Sequence, residues 1–162
     1  MPANPLTWAL VVATYMREDV LCRCLRLGAA QTRPPFEIIV VDSSPRWEST
    51  RERVLREIAP LWPGIRWHYV KAERRSSASQ RNQGIGAASA NVVFLFDDDS
   101  LMYPDCAAEN MRVYDADQCR SVVGVNAMNV AVPSSPDSKM GTSMAANPLT
   151  RRVRHAPMRK TS

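Results

Sequence analysis

A chain of 162 residues that is 45% apolar and 23% charged suits one globular domain with its own core, and it excludes a low-hydrophobicity disordered chain. No apolar run approaches the ~20 residues of a membrane-spanning helix, and Met1-Pro2-Ala3-Asn4-Pro5 lacks the basic and apolar regions of a secretory signal, so a cytoplasmic location is expected. Of the 21 basic residues, six (Lys139, Arg151, Arg152, Arg154, Arg159, Lys160) fall in residues 138–162 with no acid among them, leaving 15 against 16 acids elsewhere. The net charge of +5 therefore belongs to a basic tail and does not mark a nucleic-acid-binding fold. The tail reads as a solvated segment, with contact to anionic lipid as the sharper alternative.

Residues 8–13 form a continuous apolar run and predict a first central strand, ending where polarity returns at Thr14-Tyr15-Met16-Arg17. Asp19 then caps a predicted helix to about Ala30, with Val20, Leu21, Cys24, Leu25 and Leu27 on its apolar face. Residues 36–42 repeat the first strand's logic and end in the carboxylate of Asp42. After the turn Ser43-Ser44-Pro45, a helix is expected over residues 49–59, stopped by Pro60. Residues 65–70 alternate and predict a third strand. Residues 73–79 read as a polar loop carrying Arg74 and Arg75. Residues 80–90 read as a helix in which Gly84 and Gly86 permit close packing on the sheet.

The chain is organised around residues 91–99, where an apolar run leads directly into Asp97-Asp98-Asp99. The run predicts a strand buried on both faces, and three mutually repelling carboxylates must surface where it ends. Strand C-terminal ends are where open α/β sheets bind ligands, and adjacent carboxylates there suit a hard divalent cation sharing phosphate oxygens. The plainer alternative is a solvated acidic turn that caps the next helix. Pro104 opens that helix, which reaches about Asp115, and residues 121–126 predict a further strand. Beyond residue 132, Pro133, Ser134, Ser135, Pro136 and Gly141 signal loop, so residues 1–132 are expected to form the domain and 133–162 a loop-rich tail. The order βαβαβαβαβ predicts a mostly parallel α/β sheet with helices on both faces. Cys22, Cys24, Cys106 and Cys119 form no metal pattern and read as reduced packing residues. His68 reads as structural, and His155 has no partner legible in the sequence.

Four blocks, in order and in register, resemble the nucleotide-binding portion of family 2 glycosyltransferases with the GT-A fold. They are Val11-Val12-Ala13-Thr14-Tyr15-Met16-Arg17, residues 36–44, Ser79-Gln80-Arg81-Asn82-Gln83-Gly84, and residues 94–99 with Pro104-Asp105. The resemblance implies a nucleotide-diphospho-sugar donor, Mn²⁺ or Mg²⁺, and sugar transfer to an acceptor hydroxyl with inversion. It implies that Thr14 and Tyr15 line the base and ribose, that Asp42 accepts a base N–H, and that Arg17 meets the nucleotide. Arg81, Asn82 and Gly84, expected at a helix N-terminus, would meet ribose or phosphate. Asp97-Asp98-Asp99 looks like the family's DxD signature, with Asp97 facing ribose or sugar and sharing the metal held by Asp99, and Asp98 contacting substrate.

The sequence departs from the family at Ala13, where Pro is usual, at Met16, where Asn is usual, and in length. Members generally continue into acceptor-binding elements and a carboxylate general base. Glu109, Asp115, Asp117 and Asp137 do not match that base motif, so the catalytic base is unassigned. The rival expectation is a truncated or degenerate module that holds nucleotide without turnover. A nucleotidyltransferase ranks last, because residues 14–19 lack a glycine-rich phosphate loop.

Overall fold

The computed structural model describes residues 5–126. Four strands, β1 (Trp8–Thr14), β2 (Glu37–Asp42), β3 (Arg66–Lys71) and β4 (Val92–Asp97), form one sheet in the order β3-β2-β1-β4. All three pairings are parallel. The connections are helices α1 (Glu18–Ala29), α2 (Trp47–Glu57) and α3 (Ser77–Ala87), and α4 (Cys106–Ala116) follows β4. A parallel sheet with helical crossovers is what alternating apolar runs and amphipathic segments produce, because each strand needs cover on both faces.

Alternate residues of the central strands divide between two cores. Trp8, Leu10, Val12, Ile38 and Val40 face α1, α2 and α4, packing with Leu21, Leu25, Val54, Ala107 and Met111. Val11, Ile39 and Val41 make the smaller core on the other face. There α3 lies so close that a Cβ on Gly84 would overlap the Val11 Cγ1 methyl and sit 3.4 Å from Val41 Cγ2. Gly84 thus serves the packing expected of it, whereas a Cβ on Gly86 would meet nothing.

The N-terminal end of β2 carries a buried carboxylate. Glu37, at the start of β2, accepts hydrogen bonds from the backbone N–H groups of Ser89 (2.6 Å) and Ala90 (2.8 Å) and from the Ser89 hydroxyl. His68 Nε2 lies 3.4 Å from its other oxygen, which gives His68 the structural place expected of it.

Asp19 is not a cap but lies in the first turn of α1, with Arg17 at the N-cap, and Pro104 precedes α4, whose N-cap is Asp105; three larger expectations also need correction. Residues 121–126 form no strand, because side chains take their backbone donors: Val122 N–H donates to Asp117 at 2.6 Å and Val125 N–H to the Tyr114 hydroxyl at 3.1 Å. Val123 is 100% exposed, so burial offers no compensation. Second, β4 is not buried on both faces; it is an edge strand of the described sheet and Leu95 is 46% exposed. Third, α3 begins at Ser77, three residues before the expected start, which moves Arg81 and Asn82 into its second turn. Ser76, in extended conformation, takes the N-cap position, and its carbonyl accepts the Gln80 N–H. The tail at 133–162, with Asp137 and His155, lies outside the described residues.

Candidate active site

Strand β2 lies on one side of β1 and β4 on the other, so the chain order switches direction beside β1 and the C-terminal ends open a crevice there. The register aligns the chemistry: Thr14 pairs with Asp42, and Ala13 with Asp97. A cleft of about 430 Å³ occupies this edge. Thr14, Tyr15 and Arg17 line it from the end of β1, and Asp97, Asp98 and Asp99 from the end of β4. Arg75, Ser76, Ser77 and Gln80 close it from the segment entering α3.

Three adjacent carboxylates are tolerable because two guanidinium groups stand among them. Arg17 Nη1 donates to Asp98 Oδ1 at 3.2 Å and to Asp99 Oδ2 at 3.0 Å, and Arg81 Nη2 pairs with Asp97 Oδ1. The Asp98 charge, followed by the hydrogen bond to Asp99, raises the Arg17 pKa. The three acids differ sharply in placement. Asp98 turns inward and is buried, its Oδ2 accepting a 2.7 Å hydrogen bond from the Thr14 hydroxyl, whereas Asp97 and Asp99 are exposed. Below them Cys24 is buried against the Asp97 carbonyl, and desolvation, helped by the three carboxylates, pushes its thiol up to about 12.

The loop after β1 is unusually constrained. Met16 adopts φ 54°, a region where Asn is enriched and a flexible apolar side chain is uncommon. Its N–H donates to the Ser44 hydroxyl at 2.7 Å. Tyr15 carries the Arg75 guanidinium over its ring at 3.8 Å from the centroid.

Asp42 is placed differently from expectation. It is 1% exposed and lies outside the cleft lining. Tyr69, two residues before the β3 partner of Asp42, donates its hydroxyl to Oδ2 at 2.6 Å, and the Ser44 N–H donates to Oδ1 at 2.7 Å. Burial first, then Asp42, raises the Tyr69 pKa. Asn82 is exposed on α3 away from the cleft, and Gly84 is buried beneath the same helix. Neither is brought to the site, because the early start of α3 turns Ser76 and Ser77 to the cleft instead.

Sequence reasoning missed Arg75, Ser76, Ser77 and Gln80 as lining residues. Gln80 Nε2 donates to the carbonyls of Thr14 (2.9 Å) and Val41 (2.8 Å), bridging the ends of β1 and β2 where their ladder stops. Its position inside the Ser79-to-Gly84 block was the available signal. Gln31 does similar work after β4. It donates to the Tyr103 carbonyl at 2.8 Å and accepts the Ala107 N–H at 2.9 Å, fixing the segment between the acidic triplet and α4.

Asp97 and Asp99 offer hard oxygen donors on the cleft side, which is the ligand chemistry Mn²⁺ and Mg²⁺ take. Among the described residues no three His, Cys, Asp or Glu side chains converge as a closed metal cage. The donor set therefore fits a cation that takes one or two protein carboxylates and fills its shell with phosphate and water.

A parallel sheet whose switch-point cleft is lined by arginines and carboxylates defines an open-sheet α/β domain with an acidic strand end. The sequence matches Glycosyl transferase family 2 over residues 9–150, and the chain belongs to that family. It is 31% identical over 97 residues to an uncharacterized glycosyltransferase, YwdF, of Bacillus subtilis, covering 59% of this chain and 34% of that protein. The fold is similar to that of the mannosyltransferase PcManGT from Pyrobaculum calidifontis in complex with GDP-Man and Mn²⁺, with TM-score 0.57 and 26% identity over 72% of this chain and 34% of that one. It is also similar to S. aureus TarS 1-349 in complex with UDP, with TM-score 0.54 and 21% identity over 68% of this chain and 32% of that one. The GT-A fold is thus shared, and the chain spans about a third of the length of the proteins it matches. Among the described residues no helix is long and apolar enough to cross a membrane.

Proposed function

We propose that this chain forms the donor half of a glycosyltransferase that uses a nucleotide-diphospho-sugar with Mn²⁺ or Mg²⁺ and transfers the sugar to an acceptor hydroxyl. The observation that carries this is the cleft at the β1/β4 switch point, where Thr14, Tyr15 and Arg17 face an exposed Asp97 and Asp99. Family membership, together with the GDP-Man and Mn²⁺ bound by the mannosyltransferase neighbour, supports it.

In this reading the nucleoside lies along Thr14 and Tyr15, and the diphosphate lies between Arg17, Arg75 and the N-terminus of α3. The Ser77 amide at the start of α3 and two guanidinium groups suit an anion there. Asp99, with Asp97, would hold the metal, which would supply positive charge against the leaving diphosphate. Arg81 holds Asp97 in place through their ion pair, which gives that arginine a positioning role. Asp42, buried and held by the Tyr69 hydroxyl and the Ser44 N–H, would have to be uncovered to accept a base N–H. Attack from the side opposite the nucleotide inverts the anomeric centre, and the acceptor proton must pass to a base.

That base is absent from the described cleft. Glu109 pairs with Arg112, Asp115 with Arg33, and Asp117 holds the backbone of residue 122, all away from the acidic triplet. The rival reading is a donor-binding module without turnover of its own. Calorimetric titration with UDP, GDP and dTDP, with and without Mn²⁺, tests the first step. Metal-dependent binding of one diphosphate is expected, and slow hydrolysis of the matching sugar nucleotide separates an enzyme from a binding module. No binding under any of these conditions overturns both readings.

A further inference from the structure

Resting on the donor site proposed above, we infer that Arg17 is a resident counter-cation, parked between Asp98 and Asp99, that competes with the metal and is handed to the diphosphate when the metal arrives. The geometry is specific. One nitrogen, Nη1, serves both carboxylates at 3.2 and 3.0 Å. The partners are unequal, since Asp98 is buried and also held by Thr14 whereas Asp99 is exposed. Loss of the Asp99 contact leaves Arg17 anchored through Asp98, so the guanidinium stays at the cleft and turns rather than leaving it.

A cation binding Asp99 must therefore first displace a cation already there, and metal alone binds weakly. Displacement frees N–H donors beside the site where a phosphate lies, so metal and diphosphate each improve the other's binding, and by linkage the two gains are equal. Arg81 on Asp97 makes the second acidic position similarly guarded. Arg17 and Arg81 thus offset two of the three acid charges. This relieves the repulsion among the three carboxylates.

The test is Mn²⁺ binding to the full chain, without nucleotide, read by the loss of free-ion electron paramagnetic resonance signal and by calorimetry. Arg17→Met is expected to bind Mn²⁺ alone up to about fivefold more tightly than the parent, the scale of the one exposed ion pair to Asp99 that the metal must break. It is also expected to lose most of the mutual enhancement between Mn²⁺ and nucleoside diphosphate. Arg17→Lys keeps the charge and should bind Mn²⁺ like the parent; circular dichroism verifies that both variants fold. Unchanged or weaker Mn²⁺ binding by Arg17→Met, or none by any of the three proteins, overturns the inference. Tighter Mn²⁺ binding by Arg17→Met with no nucleotide binding by the parent would uphold the competition while sinking the donor reading, so the two failures are distinguishable.

Discussion

Replacing Tyr69 with Phe isolates one hydroxyl. That hydroxyl donates to Asp42 Oδ2 at 2.6 Å where both groups are buried, so the change deletes a charge-assisted hydrogen bond without altering the ring's packing. A hydrogen bond to a charged group contributes about 1.5–3 kcal/mol, and its loss leaves one carboxylate oxygen under the sheet end with no compensating donor. Asp42 keeps the Ser44 N–H on its other oxygen, which holds the expected loss near the middle of that range, about 2 kcal/mol. Urea unfolding followed by far-ultraviolet circular dichroism measures it, with an unchanged m-value showing that the denatured state is the same. A loss under about 0.5 kcal/mol would refute the account of Asp42 as a buried, internally satisfied acid. The same variant carries a second readout. If the base N–H uses the freed oxygen, nucleoside diphosphate affinity rises as stability falls; unchanged affinity would detach Asp42 from base recognition.

Gly84→Ala should cost about 1–2 kcal/mol in the same unfolding assay, because clash with a central-strand valine outweighs the roughly 1 kcal/mol gained in helix propensity. Gly86→Ala, with open space around it, should be neutral or stabilising, and equal effects at the two sites would contradict the close approach of α3. Asp99→Ala should remove metal-dependent nucleotide binding in calorimetry while leaving stability within about 0.5 kcal/mol, since the side chain is exposed; a retained metal effect would unseat Asp99 as ligand. For pH, the folded Cys24 thiol keeps its proton to about 12 while the unfolded one releases it near 9.0. Its stabilising contribution is full below pH 9.0 and drains away towards pH 12, so Cys24→Ala should show a shallower alkaline decline in stability across that window. Parallel alkaline limbs for the two proteins would count against a buried thiol at that position.

The strands and the acidic edge were legible because each central strand is a nearly unbroken apolar run ending in a polar residue. The register then sets Thr14 against Asp42 and Ala13 against Asp97. What escaped depended on partners distant in sequence. Residues 121–126 have strand-like composition, but a strand exists only where a neighbour supplies hydrogen bonds, and here Asp117 and Tyr114 supply them. Asp42 looked available because nothing in the sequence reveals that Tyr69, 27 residues later, ends at its oxygen. The α3 start was misplaced by reading residues 73–79 as all loop, which put Asn82 rather than Ser76 and Ser77 at the helix entry. Met16 shows the reverse: the departure from Asn was visible, and only the positive φ explains why Asn is the better residue there.

The Glu37 carboxylate, at the N-terminal end of β2, grips the two backbone amides from which the chain turns into β4. It thereby fixes the starting point of a six-residue strand, and a strand of that length has a nearly constant reach of about 20 Å. The acidic triplet emerges where it does because of a datum set at the other end, as a mark on a rule is set by its zero. Loops around the cleft are then free to drift in sequence and suit new ligands, while the spacing between Thr14 and the acids that face it stays calibrated from behind.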